Sequence, residues 1–218
     1  MTKTKHLPAI KILFIGNSFT QRNDLPGMIA KMAEVREVSV QPKLISVGGA
    51  SLRTHWNAGR AGDAITTGGY DYVVLQEQST LPVKNSQRMA ENVRLFDELI
   101  KQVSSKTVLY MTWSRQNAPE SQQAITNAYN SIGEEVGAIV VPVGIAWQKF
   151  LAKHDRPQLY DRDQSHPSAA GSYFAACVFL ATLLNINPIG MGTYGAELDD
   201  SDKAALQRAA WKQGGSRK

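Results

Sequence analysis

The chain has 218 residues, with 24 Lys plus Arg against 19 Asp plus Glu and a formal charge of +5 with His neutral. That is enough chain for one domain with a sizeable core, and 43% apolar with 20% charged residues is wrong for a disordered, collagenous or membrane protein. A single cysteine, Cys177, excludes an internal disulfide and a cysteine-built zinc site; set in the apolar stretch 174–184, it reads as a buried small hydrophobe.

Lys3 and Lys5 precede an apolar run at 10–15, but Lys11 interrupts it and no small-residue cleavage site follows before Thr20-Gln21-Arg22-Asn23, so it does not read as a signal peptide. The apolar pattern then predicts a strand at 12–15, a helix at 25–35, and strands at 44–47 and 72–75. A helix at 86–103 follows, its stripe made by Met89, Val93, Phe96, Ile100 and Val103. Next come a strand at 107–112, a helix at 119–136, a strand at 138–143, and helices at 145–153 and 168–184. The last helix, 199–212, has acidic or Ser caps at its start and Gly214 as its stop.

The strands are apolar throughout, not alternating, as in sheets covered on both faces. Five of them alternating with helices imply a parallel sheet in a three-layer α/β/α arrangement. With no internal repeat or linker, the chain reads as one domain over 1–218, with flexible tails at 1–9 and 214–218. No apolar run reaches about 18 residues, so no membrane span is expected and a cytoplasmic location is the default. The basic residues are dispersed, the densest group being Ser216-Arg217-Lys218, and without a patch no nucleic-acid partner is expected.

In a parallel sheet the reactive groups gather at the carboxyl ends of the strands, here 16–20, 48–53, 76–80 and 113–116. Gly16-Asn17-Ser18 follows the first strand directly, which puts Ser18 on a tight turn at that edge. Alone, a Gly-x-Ser reads as a capping or loop hydroxyl. At the far end Asp163-Gln164-Ser165-His166-Pro167 lies in a polar loop before a helix, and an acid three residues before a His can orient its imidazole across a turn. Ser18, a general base His166 and an orienting Asp163 form the nucleophile arrangement of acyl transfer.

The other polar groups have plainer readings. His6 falls in a tail, His154 at a helix C-terminus, and His55 beside Arg53 and Trp56 is a candidate for lining a pocket. Asp161, Asp163, His166 and His55 make a rival metal set, but no second clustered ligand pair accompanies them, so no metal and no cofactor are expected. Trp113 heads the loop Trp113-Ser114-Arg115. Its face suits stacking on a sugar ring, or equally a place in the core, and the Arg suits a carboxylate or phosphate.

The first block, Ile12-Leu13-Phe14-Ile15-Gly16-Asn17-Ser18-Phe19-Thr20, and the last, Tyr160-Asp161-Arg162-Asp163-Gln164-Ser165-His166-Pro167 followed by Ala170-Gly171, resemble the SGNH (GDSL-like) hydrolases. Within that superfamily they resemble the variant branch whose first block reads Gly-Asn-Ser-Phe in place of Gly-Asp-Ser. The resemblance covers nearly the whole chain and implies a flavodoxin-like topology and a serine esterase mechanism without a cofactor. It makes Ser18 the nucleophile, His166 the base and Asp163 its orienting acid. It also implies an oxyanion hole from the N–H groups of Ser18 and Gly49, with Gly48 as the close alternative, and from a third-block amide.

That third block departs from the family's Gly-x-Asn-Asp, reading Gln76-Glu77-Gln78-Ser79. Gln78 falls at the Asn position and can donate the same hydrogen bond from a side chain one methylene longer; otherwise both glutamines satisfy loop backbone. Asn17, Arg53, Trp113 and Gln76 are expected to meet the substrate. The resembled family spans carbohydrate O-acetylesterases, lysophospholipases and thioesterases. Trp113 and Arg53 tilt the expectation to a small-molecule ester with short acyl groups on a sugar-like alcohol, against a lipid hydrolase or a silent glycan- or protein-binding member.

Overall fold

The computed structural model describes residues 9–215. His6, the basic group 216–218 and most of the two expected tails lie outside the described residues. The chain runs β1 (Ile10–Gly16), α1 (Ser18–Gln21), α2 (Leu25–Glu34), β2 (Val40–Ser46), α3 (Leu52–Asn57), α4 (Arg60–Gly68) and β3 (Tyr72–Leu75). It continues through α5 (Leu81–Lys84), α6 (Ser86–Gln102), β4 (Lys106–Tyr110), α7 (Gln122–Val136), β5 (Ile139–Val141), α8 (Val143–Leu151), α9 (Ala169–Leu183) and α10 (Asp200–Gly214).

The five strands pair in parallel in the order β2-β1-β3-β4-β5, the flavodoxin-like order. Successive strand residues point to opposite faces. Ile12, Phe14, Val74, Val108 and Val141 pack with α2, α8, α9 and α10, while Leu13, Ile15, Val73, Leu75 and Leu109 pack with α3, α4, α6 and α7. Both faces are dry, which is why the strands carry continuous apolar runs. Helix α9 is apolar all round because it lies between the sheet on one side and α2 and α10 on the others. Its Cys177 is fully buried, and burial pushes the thiol up to about 12, so it is an inert hydrophobe.

The boundaries shift where burial and secondary structure part company. β2 begins at Val40, ahead of the expected 44, because it is a sheet edge: Gln41, Pro42 and Lys43 are exposed there, and an edge tolerates proline. β5 stops at Val141, and the apolar run continues across Pro142 into α8. Residues 119–121 form a single 3-10 turn before α7. Four short helices, α1, α3, α4 and α5, have no counterpart among the elements expected from the apolar pattern. Gly214 is the last residue of α10 and Gly215 its cap. Among the described residues no helix is long and apolar enough to cross a membrane.

Candidate active site

The turn after β1 is tied down from below. Asn17 caps α1, its Oδ1 accepting from the Phe19 N–H at 3.1 Å, and its Nδ2 donates to the Ala50 carbonyl at 3.0 Å. The Asn17 backbone N–H and the Thr20 hydroxyl both donate to Gln76 Oε1, at 2.9 and 3.0 Å. A Cβ on Gly16 would lie 2.6 Å from that same oxygen, so glycine is required where β1 meets the turn. His55 Nε2 sits 2.7 Å from the Gly16 carbonyl.

These contacts correct three expectations. Gln76 is wholly buried, Asn17 is 2% exposed and His55 3% exposed; the side-chain polar atoms of Gln76 and Asn17 bond neighbouring backbone and Thr20, and His55 Nε2 meets the Gly16 carbonyl. None of the three is available to a substrate. They hold the turn that carries Ser18.

The second block forms a four-residue turn closed by the Ala50 N–H on the Val47 carbonyl at 3.1 Å. Gly49 has φ +69°, the left-handed region that favours glycine, and both Gly48 and Gly49 are exposed. Glu77, 1% exposed, ties the second and third blocks to α6: it accepts from the N–H groups of Leu52 (3.0 Å) and Gln78 (2.7 Å) and from Asn92 Nδ2 (2.8 Å). Asn92 in turn accepts from Arg53 Nε at 2.9 Å, so Arg53 is half-buried and braced against α6. Gln78 Oε1 accepts from the N–H groups of Thr80 and Leu81, at 2.9 and 3.1 Å, and from the Thr80 hydroxyl, which steadies the start of α5.

The loop 160–168 is brought over the sheet edge by four contacts. Trp113 Nε1 donates to the Ser165 carbonyl at 3.0 Å, the Gln116 N–H to the Gln164 carbonyl at 2.9 Å, the Tyr160 hydroxyl to the Ser114 carbonyl at 2.8 Å, and Arg22 pairs with Asp161. Trp113 is 2% exposed and its face lies flat on Trp147, with ring centroids 3.8 Å apart and planes 7° apart. The core alternative therefore holds for Trp113: one face is covered by Trp147 and almost none of the residue is exposed.

Held this way, His166 Nε2 lies 2.8 Å from Ser18 Oγ, across 148 residues of sequence. Its Nδ1 hydrogen-bonds Asp163 Oδ2, and Asp163 Oδ1 accepts from the N–H groups of His166 and Ser165 at 2.9 and 3.1 Å. The hydrogen bond to His166, helped by those two N–H groups, holds the Asp163 carboxyl down to about 2. A neutral imidazole that donates its Nδ1–H in a hydrogen bond to that carboxylate presents Nε2 as an acceptor for the Ser18 hydroxyl. The arrangement can carry a proton from serine to imidazole and back.

Of the rival metal set, Asp161 is bonded to Arg22 and His55 to Gly16. No group of three or more His, Cys, Asp or Glu that could hold a metal ion occurs among the described residues. Sequence reasoning misses Glu77, Asn92 and Tyr160. Asn92 does leave a signal, a polar residue beside Met89, Val93 and Phe96 on the buried face of α6.

No family model matches the sequence, and no curated protein matches it in sequence. Solved structures do. One is a candidate SGNH hydrolase from Slackia heliotrinireducens, 26% identical, with a TM-score of 0.68 over 78% of this chain and 96% of that one. A DUF4886 family protein from Bacteroides uniformis is 20% identical, with a TM-score of 0.78 over 94% of each chain. An acetyl-xylooligosaccharide esterase from Geobacillus stearothermophilus is 17% identical, with a TM-score of 0.64 over 88% of this chain and all of that one.

The α/β/α fold with its 2-1-3-4-5 sheet is thus that of the SGNH-like hydrolases. The chain belongs to the SGNH-like superfamily, and the likeness supports a hydrolase.

Proposed function

We propose that the chain is a serine esterase acting through an acyl-enzyme on Ser18. The observation that carries this reading is the continuous line of hydrogen bonds from Ser18 Oγ through His166 to Asp163. His166 takes the Ser18 proton as Oγ attacks the ester carbonyl, then returns it to the leaving alcohol. Water attacks the acyl-enzyme with His166 again as base. The oxyanion is received by the N–H groups of Ser18, at the start of α1, and of Gly49, with the Gln78 amide as third donor. The capping contacts occupy Gln78 Oε1 alone, which leaves its Nε2 end for that task.

Short acyl groups on a carbohydrate-like alcohol are the substrate class we favour, in line with the esterase whose fold this chain shares. The test is labelling by a fluorophosphonate and turnover of 4-nitrophenyl acetate through octanoate, with Ser18→Ala as the control. Expected are a label on Ser18, faster release from acetate than from octanoate, and loss of about a thousandfold or more in Ser18→Ala. A preference for octanoate would move the reading to a lipid hydrolase. A folded protein that takes no label would mean a silent binding member of the fold.

A further inference from the structure

Between the loops that follow β3 and β4 lies a cavity of about 210 Å³. Its floor is apolar, made by Phe19, Trp113 and Ile125, and Thr80 stands at its side. Phe19 directly follows Ser18, and its ring centroid is 5.1 Å from that of His166 and 5.3 Å from that of Trp113. The Phe19 ring thus stands between this space, on the side of the third block, and the imidazole of His166. The space is smaller than the roughly 300 Å³ at which pockets for drug-sized ligands begin. A short group fits within that volume.

The charge on this cavity is one-sided. Lys84 and Arg115 both line it, and no Asp or Glu does. Both are exposed, and neither makes an ion pair among the described residues. Two unneutralised cations on one small concavity with an apolar floor repel each other and raise the local potential for an anion. A guanidinium and an ammonium, one from each of the two loops, are both groups that bind a carboxylate through charge-assisted hydrogen bonds.

We propose that this cavity binds a carboxylate carried by the substrate, so that the site selects negatively charged esters over neutral ones of the same size. The inference rests on the esterase reading and names its substrate class more closely. Neutral O-acetyl sugars are then poorer substrates than acylated sugar acids or half-esters of short diacids.

Two matched pairs test it. Mono-4-nitrophenyl succinate against 4-nitrophenyl pentanoate places the charge on the acyl side, and 4-acetoxybenzoate against 4-acetoxybenzamide places it on the alcohol side. One of the two anionic-to-neutral ratios of kcat/KM is expected to reach about tenfold at low salt, the effect of one charge-assisted hydrogen bond. That ratio is expected to fall in 0.5 M NaCl and to collapse severalfold in both Arg115→Gln and Lys84→Gln. Ratios at or below one for both pairs, or a ratio that neither variant changes, would overturn the proposal while leaving a Ser18-dependent esterase intact. No Ser18-dependent turnover of any of the four esters would sink the esterase reading itself, and this proposal with it.

Discussion

Asn17 stands where the resembled family usually carries Asp, and Asn17→Asp asks what the amide contributes. Its Nδ2 donates to the Ala50 carbonyl at 3.0 Å from a side chain that is 2% exposed. A carboxylate oxygen in that place would face another acceptor with no water between them. Leaving a buried group unsatisfied costs about 1–3 kcal/mol, and more when it is charged. The retained bond from the Phe19 N–H at the start of α1 offsets part of this, although α1 is a single turn and its dipole is small. The net loss at pH 7 is about 2–3 kcal/mol, or a fall in Tm of roughly 4–12 °C for a chain of this length. The penalty falls on the charged form, so the folded-state pKa of the new carboxyl lies above its unfolded value near 3.9. The loss is therefore complete above the folded pKa and fades as pH falls towards 4, where a protonated Asp can again donate to Ala50. Urea unfolding of both proteins from pH 7 to pH 4 measures it. A variant as stable as its parent at pH 7, or a gap that does not narrow with acid, would refute the reasoning.

Glu77→Ala strips the acceptor from Leu52 N, Gln78 N and Asn92 Nδ2 together, and a loss of about 3 kcal/mol or more is expected in urea unfolding, with Glu77→Gln milder. A Cβ on Gly171 would come within 2.2 Å of the Leu159 carbonyl and 2.5 Å of the Trp147 ring, so Gly171→Ala should cost about 1–3 kcal/mol; an unchanged Tm would contradict that contact. Gln78→Glu keeps the oxygen that steadies α5 but removes the proposed oxyanion donor, and kcat is expected to drop about 100- to 1,000-fold with little change in melting; full activity would remove Gln78 from the mechanism. Asp163→Asn is expected to lower kcat by about 10⁴-fold. Because the Asp163 carboxyl is held down to about 2, its charge is constant from pH 4 to 9; what it adds to stability is present above about 3.9 and lost only as pH falls towards 2. An Asp163-dependent step in the pH–rate profile near pH 5 would contradict the assignment.

The sheet is legible in the sequence because it is covered on both faces: five β-branched apolar runs, separated by helical periods, leave little choice but a parallel α/β arrangement. How each run ends is not legible. The stretch 138–143 stays buried as β5 gives way to α8, so apolarity alone marks no boundary there. Residues 41–43 belong to an edge strand and are exposed, so they carry no apolar signal at all. The short helices α1 and α5 are single turns held by tertiary contacts, below the length at which a helical period can show. The candidate site divides in the same way. Ser18, Asp163 and His166 announce themselves by spacing and neighbours. Whether a polar residue at the sheet edge faces solvent or the floor beneath the turn has no sequence marker, which is why sequence reasoning places Gln76 and Asn17 at the substrate.

The departures from the family pattern in the first and third blocks are parts of one unit. Where that pattern has a glycine, the Gln76 side chain fills the space under the Ser18 turn, and its Oε1 serves both the Asn17 N–H and the Thr20 hydroxyl. The residue 17 backbone N–H meets that oxygen, and the Asn17 Nδ2 meets the Ala50 carbonyl. The second bond needs an amide, because a carboxylate cannot donate it. The consequence reaches the chemistry. In the proposed esterase mechanism, positive charge develops on His166 as Ser18 gives up its proton and is met by the Asp163 carboxylate on the Nδ1 side, while the neighbouring residue 17 adds no negative charge beside the growing oxyanion. A neutral cap beneath the nucleophile and an ionised acid behind the base separate the two charges of the transition state, which is what electrostatic preorganisation of an acyl transfer requires.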